Sequence, residues 1–315
     1  MTARSVKFEA EVLIPWRIKI TTTTGRCRDP FKHFATDSAV DYTALEGIEA
    51  SQLWLDPEDN SSAEIVEEYQ VMASRQMCEA EYASFATEMF FKRQRRFQQT
   101  PSDRKWRAER TISLFCPPEG NNWVAPPSFE TDTQEFKFDV RPDCCYWVSL
   151  SGFNDDYRGD LFGVVYVHKD AITCPYFTIE FKKHGQSASQ AQAKALGAAA
   201  VALYNRFLLK KRALEAAKTP WAEADKNQMR HYVITFVGSQ FVIWILRADF
   251  GDDDCWNGCS MSLLYESKCT SASIVRQLKK WINEIHRWGL SGHATSCERD
   301  VKSILREDDV EVSML

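Results

Sequence analysis

The chain has 315 residues, of which 44% are hydrophobic and 26% are charged. These proportions are ordinary for a soluble globular protein, and they exclude a fibrous or intrinsically disordered chain. The formal net charge of −5 also excludes a surface that is basic throughout, which would attract nucleic acid or anionic membrane over its whole area.

The charge is nevertheless unevenly distributed along the chain. Residues 92–110 and residues 175–218 each contain eight basic and two acidic side chains, so each segment has a net charge of +6 and the rest of the chain has −17. Two basic segments in an acidic protein are compatible with a phosphate-binding face. Solvated helix surfaces rich in lysine and arginine would give the same pattern.

The ten cysteines show no zinc-site spacing, because no C-x-x-C pair occurs and neither Cys144–Cys145 nor Cys255 and Cys259 is followed by a second pair. No run approaches the ~18 apolar residues that a membrane span requires. The N-terminal segment lacks the continuous apolar core of a signal peptide. We therefore expect an intracellular protein, nuclear or cytoplasmic, with reduced cysteines and no membrane partner.

The first half of the chain begins with residues 1–62, which indicate an N-terminal extension with one strand at 10–20. From residue 63 to about 99 there is no Gly or Pro, and apolar residues recur at helical spacing, which predicts a long helix with one break allowed near Arg75. Strands are predicted at 110–116, on either side of Pro142, and at 161–168.

In the second half, a strand follows at 175–182 and an Ala-rich helix at 187–217, and two strands then form a hairpin around Ser239 and Gln240. A strand near 260–266 and an amphipathic helix at 272–288 complete the pattern. This order predicts one α/β or α+β domain over 63–290, with a mixed central sheet flanked by helices. The last residues, 291–315, are polar and acidic at the end, and we expect a loosely ordered tail.

The strand within "PYFTIEFKKHG", residues 175–185, places Glu180 and Lys182 two positions apart. Alternation along a strand directs both side chains to one face and the neighbouring phenylalanine and isoleucine side chains to the other. This pattern is typical of a half-buried strand that shows its polar side to water, and it equally fits one half of an active site.

A second acidic residue, Asp143, stands at the start of the apolar strand "CCYWVSL", directly after Pro142. Asp143, followed by Glu180-Phe181-Lys182 and an Ala-rich helix, resembles the motif of the PD-(D/E)XK nuclease superfamily. The chain looks most like the fungal proteins described only as "PD-(D/E)XK nuclease-like", through its blocks "RPDCCYW", "IEFKK" and "ALYNRF". The resemblance implies a restriction-endonuclease-like core and hydrolysis of phosphodiester bonds, with DNA as the expected partner.

The resemblance also implies a metal site. The carboxylates of Asp143 and Glu180 and the main-chain carbonyl of Phe181 would hold Mg²⁺, with Mn²⁺ as an alternative, because these hard cations take oxygen ligands. Lys182 would position the attacking water or stabilise negative charge in the transition state.

Helices before and after the motif supply further polar residues in this superfamily. From the helix at 63–99, which contains Glu79, Glu81 and Glu88, we expect Glu81 to join the site, with Glu88 second. From the helix after the motif we expect Gln192, with Gln190 second; this helix lacks the Q-x-x-x-Y pattern of the exonuclease-like relatives.

The interval of 37 residues between Asp143 and Glu180 is longer than a hairpin needs, and an insertion would explain it. Two further hypotheses remain open: a nuclease-like fold that binds nucleic acid or protein without cutting, and an interaction protein in which the D…E-x-K pattern is coincidental.

Overall fold

A computed structural model describes residues 8–21, 27–35, 51–94, 107–112, 120–130, 138, 141–185 and 188–312. Within these residues eight strands form one mixed sheet, with helices packed on its faces. The strands are β1 (Ile18–Thr21), β2 (Ala108–Ile112), β3 (Cys144–Ser149), β4 (Val167–His168), β5 (Ile172–Lys182), β6 (Arg230–Val237), β7 (Gln240–Phe250) and β8 (Trp256–Lys268). The helices are α1 (Pro30–Ala35), α2 (Ser61–Ser74), α3 (Glu79–Phe90), α4 (Leu161–Val164), α5 (Ala188–Ala216), α6 (Glu223–Gln228), α7 (Ala272–Trp288) and α8 (Ala294–Val312).

The strands lie in the order β1-β8-β7-β6-β5-β3-β2, and the short β4 pairs with the beginning of β5. Strands β6, β7 and β8 form an antiparallel meander, and the predicted hairpin joins β6 to β7. Strands β5 and β6 are parallel, so the chain must cross over between them. Helix α5 provides this crossover and packs against both strands.

Strand β5 occupies the middle of the sheet, between β3 and β6. All eleven of its residues are buried. The half-buried alternative is therefore wrong, because the polar face of this strand is covered by protein and does not contact water. A strand covered on both faces must pair any charged side chain that it carries.

The two faces of the sheet have separate hydrophobic cores. Several alanines of α5, including Ala195 and Ala199, are fully buried in one core, where small side chains allow the helix to approach the strands closely. The other core contains apolar residues of α2, α3 and α7. Both Trp281 and Trp288 belong to this second core.

Two secondary-structure predictions are refined by the structure. The long helix predicted at 63–99 is two helices, α2 and α3, which are interrupted after Ser74 and resume at Glu79. The strand predicted at 161–168 is wrong over most of its length, because α4 and the two-residue β4 replace it. Its short apolar run fits either periodicity, so the sequence pattern could not distinguish a helix from a strand.

Both ends of the described chain contribute to the cores. Strand β1, within the predicted extension 1–62, pairs with β8 and extends the sheet. The predicted loose tail 291–315 instead contains α8, which packs against α5 and buries four apolar residues at helical spacing: Ala294, Cys297, Val301 and Ile304. The polar composition of this segment concealed a narrow apolar stripe.

Among the helices that the structure describes, none has the length and apolar character needed to cross a membrane. Most of the basic segment 92–110, including residues 95–106, lies outside the described residues.

Candidate functional site

Asp143 and Glu180 lie together because β3 and β5 are antiparallel neighbours. Cys144 pairs with Ile179 in the register of these strands, so the preceding residue, Asp143, lies beside the end of β5. Oδ2 of Asp143 accepts a hydrogen bond from the Phe181 main-chain N–H at 2.9 Å. The 36 intervening residues include α4 and β4, after which the chain returns to the sheet as β5. Two carboxylates that are distant in sequence thus meet at one end of adjacent strands.

Glu180 is completely buried within the sheet. Burial raises the pKa of its carboxyl group to about 7, the negative charge of Asp143 adds to this rise, and the charges of Lys194 and Lys182 oppose it. Within the described part of the chain, Oε2 of Glu180 is buried and has no hydrogen-bond partner. Buried polar atoms are rarely left in this state in proteins, and such an atom is available to a ligand.

Lys182 lies on the same face of β5 as Glu180, as strand alternation predicts. Its Nζ atom is 3.1 Å from Oε1 of Glu180 and 3.2 Å from Oε1 of Glu79, and it donates a hydrogen bond to the Phe181 carbonyl oxygen at 2.6 Å. The lysine side chain is nearly buried. Three oxygen partners therefore hold its ammonium group in one place, beside the two carboxylates.

Lys194, on α5, is a further member of this cluster. Its Nζ atom lies 2.6 Å from Oδ1 of Asp143 and 2.6 Å from Oε1 of Glu180, so it bridges the two carboxylates. Burial by itself would lower the pKa of Lys194, but the charges of Glu180 and Asp143 and their hydrogen bonds more than offset this effect and raise it.

The sequence indicates Gln192 at this point of the helix, but the structure brings Lys194 to the site. Two positions along an α-helix correspond to a rotation of about 200°, so Gln192 and Lys194 lie on nearly opposite sides of α5. Gln190 lies one turn before Lys194 on the same side, and no hydrogen bond joins it to the described residues of the site. A usable signal was present, since Lys194 is the only charged residue between 188 and 205.

The glutamate that α3 contributes is Glu79 and not Glu81. Glu79 precedes Tyr82 by three positions and so continues the buried stripe of this helix, whereas Glu81 and Glu88 are exposed. The phase of the helix, set by Tyr82, Ala86 and Phe90, would have identified Glu79. The glutamates predicted from the sequence, Glu81 and Glu88, flank this stripe instead.

The donor atoms of the cluster fit a hard divalent cation. Asp143, Glu180 and the Phe181 carbonyl supply oxygen atoms, and Oε2 of Glu180 has no partner among the described residues. No three His, Cys, Asp or Glu side chains among the described residues are grouped so that they could hold a metal ion. A cation at this position would therefore complete its coordination with water and substrate oxygen atoms, and Lys194 contacts the same two carboxylates that the cation would use.

Comparisons with models of known protein families, with curated proteins and with solved structures found no match. The interpretation of this site accordingly depends on its own residues and geometry.

Proposed function

We propose that this chain is a metal-dependent nuclease-like protein that hydrolyses phosphodiester bonds of DNA. The observation that carries the proposal is the meeting of Asp143 and Glu180 at the ends of adjacent strands, with Lys182 bonded to Glu180. The PD-(D/E)XK motif consists of these three residue types, and they come together here although 36 residues separate the two carboxylates. The mixed sheet with flanking helices is compatible with a restriction-endonuclease-like core.

The carboxylates of Asp143 and Glu180 and the carbonyl of Phe181 would hold Mg²⁺ or Mn²⁺. When bound, such an ion polarises a phosphoryl oxygen and lowers the pKa of a coordinated water molecule. Asp143 is oriented for this role by the Phe181 N–H group, which fixes one of its two oxygen atoms. Glu180 would supply Oε2, which has no hydrogen-bond partner in the part of the chain that the structure describes.

Lys182 would act on the reacting groups directly. Its ammonium group has a fixed position, set by Glu180, Glu79 and the Phe181 carbonyl. A positioned cation stabilises negative charge that develops on the phosphate in the transition state, and it can orient a water molecule for attack. Glu79 touches Lys182 and would serve as a positioning residue.

DNA is the proposed substrate because the site lies within a basic segment of an otherwise acidic chain. The net charge of +6 over 175–218 begins on the strand that carries Glu180 and continues along α5. Lys183, next to Lys182, is exposed at the end of that strand. Lysine and arginine side chains in such a position can contact the phosphates of a nucleic acid backbone.

One observation favours a second candidate, a nuclease-like fold that binds nucleic acid or protein without cutting. The ammonium group of Lys194 already neutralises both carboxylates. If this lysine replaces the metal permanently, the chain would bind its partner and leave the phosphodiester bond intact.

Cleavage assays distinguish the two candidates. Purified protein is incubated with supercoiled plasmid and with single-stranded DNA, in Mg²⁺, Mn²⁺ or EDTA. We expect metal-dependent cleavage that falls by about 100-fold or more in Asp143→Asn, Glu180→Gln and Lys182→Met. Lys280→Met is the matched control, because Lys280 lies on α7, outside both basic segments, in an ion pair with the exposed Glu58. Cleavage that survives EDTA, or that is unchanged in the three variants, would contradict the proposal. An uncut substrate with salt-sensitive binding would support the second candidate.

A further inference from the structure

The ammonium group of Lys194 bridges the two carboxylates through short contacts. Both of its N–O distances are 2.6 Å, at the short end for hydrogen bonds between an ammonium group and a carboxylate. A divalent cation in this site would be held by the same two carboxylates. The ammonium group therefore lies between the two carboxylates that such a cation would use.

Glu180 and Asp143 each have a partner other than Lys194. Oε1 of Glu180 already has Lys182 as a partner at 3.1 Å, and Oδ2 of Asp143 has the Phe181 N–H. Lys194 is the second cation in a cluster of three carboxylates, contributed by Asp143, Glu180 and Glu79. With both lysines present the ionised cluster has a net charge of −1, and without Lys194 it has −2, which matches a divalent cation.

Lys194 is also able to leave. Its side chain is 25% exposed, in contrast to 7% for Lys182. It projects from the second turn of α5 on a flexible four-carbon stem, so its ammonium group can rotate towards water while the helix remains in place. Displacement of this lysine does not require the sheet or the helix to move.

We infer that Lys194 is a built-in cation that competes with the metal, so that a divalent ion binds between Asp143 and Glu180 only by displacing the Lys194 ammonium group. The inference rests on the proposed function, because it assumes that these carboxylates are metal ligands. It assigns Lys194 a regulatory role, since metal loading then depends on where this side chain lies.

Binding of Mn²⁺ to the full chain tests the inference without any measurement of cleavage. Isothermal titration calorimetry, or the electron paramagnetic resonance signal of free Mn²⁺, gives the Kd at pH 8.5. Removal of one positive charge within a few ångströms of the ion should lower the Kd about tenfold or more in Lys194→Gln and Lys194→Met. The glutamine variant retains a hydrogen-bonding group for the buried carboxylates, so at least one neutral variant should fold.

Two control variants test whether the lower Kd for Mn²⁺ is specific to the loss of the Lys194 charge. Lys211→Met removes a lysine charge from the exposed side of the same helix, and its Kd should equal that of the wild type. The double variant Glu180→Gln/Lys194→Gln should lose the gain in affinity, because the ligand itself is changed.

The possible failures are distinguishable. If the wild type binds Mn²⁺ through Glu180 and the neutral Lys194 variants bind no more tightly, the competing role is overturned and the proposed function stands. If no form of the protein binds Mn²⁺ in a manner that depends on Glu180, and plasmid is not cut, then both the proposed function and the inference are wrong.

Discussion

Oε1 of Glu79 lies 3.2 Å from Nζ of Lys182 and joins the first turn of α3 to the end of β5 across 103 positions of sequence. The other partners of this ammonium group, Glu180 and the Phe181 carbonyl, belong to β5 itself. Glu79 is therefore the contact that ties the lysine to a helix outside the sheet. Its loss would leave Lys182 bound but free to tilt towards Glu180.

The variant Glu79→Gln should lower the rate of DNA cleavage more than it lowers folding stability. We expect kcat to fall about 10-fold to 100-fold with a smaller change in KM, as is usual for residues that orient a functional group. The side chain of Glu79 is 36% exposed, so the free energy of unfolding should change by less than about 1 kcal/mol. Single-turnover kinetics and urea unfolding measure the two effects.

Glu81→Gln is the matched control for this experiment. It makes the same chemical change two positions along α3, on an exposed part of the helix. We expect wild-type cleavage rates from Glu81→Gln. Equal rates for the two variants would contradict the positioning role of Glu79.

The strand residues of the site could be predicted from sequence, whereas the helix residues could not. Asp143, Glu180 and Lys182 occur in short blocks whose residue types are those of the proposed metal site, and the alternation of the strand fixes the common face of Glu180 and Lys182. The residues that α3 and α5 contribute depend on the rotation of each helix about its axis. An error of two positions, as between Gln192 and Lys194, reverses the side that a residue faces.

The fold shows the same division between local and long-range information. Helices α5 and α7 and the hairpin of β6 and β7 follow from propensity, periodicity and turn residues. The position of β1 beside β8, and the packing of α8 on α5, depend on contacts between distant segments. No local pattern of residues 10–20 or 291–315 specifies those partners.

The stability of the protein should fall as the pH rises from 4.5 to 7, through the contribution of Glu180. Its pKa is raised from 4.5 to about 7 in the folded state, so the folded protein holds a proton that the unfolded chain has already released. This contribution is fully present below pH 4.5 and is lost as the pH rises through 7. The difference corresponds to about 3 kcal/mol.

Urea unfolding in EDTA at several pH values measures this effect. We expect the free energy of unfolding of the wild type, relative to that of Glu180→Gln, to fall by about 3 kcal/mol over this range. The exposed Glu88→Gln is the control and should follow the wild-type curve. If the wild type and Glu180→Gln have parallel curves, the carboxyl group of Glu180 is ionised with an ordinary pKa.

The junction of β1 and β8 depends on a glycine. Gly258 has φ of +95°, and a Cβ atom there would collide with the main-chain carbonyl of Arg17. The same carbonyl accepts a hydrogen bond from the Cys259 N–H at 3.1 Å. Gly258→Ala should therefore lower the free energy of unfolding by about 2–4 kcal/mol, from backbone strain and displacement of the edge strand.

Gly163→Ala provides the comparison for Gly258→Ala. No atom of the described residues lies within 4 Å of the Cβ position at Gly163, which is in α4. The free energy of unfolding of Gly163→Ala should differ from that of the wild type by no more than about 0.5 kcal/mol. Equal stability of the two variants would show that Arg17, which precedes β1, does not pack against Gly258 as described.

The attachment of α8 is tested by Asp300→Asn. Asp300 forms ion pairs with Arg206 at 2.7 Å and with Lys210 at 2.6 Å, and the three side chains are each 4% exposed. Removal of one charge from a buried ion pair leaves the cations without full compensation, so the free energy of unfolding should fall by about 3–5 kcal/mol. Glu215→Gln breaks an exposed pair on the same α5 helix and should change stability by less than about 1 kcal/mol. A docked helix cannot lose its buried counter-ion without a loss of stability. If the free energy of unfolding falls equally little in both variants, α8 contributes nothing to the core, and the loose tail predicted from the sequence is correct.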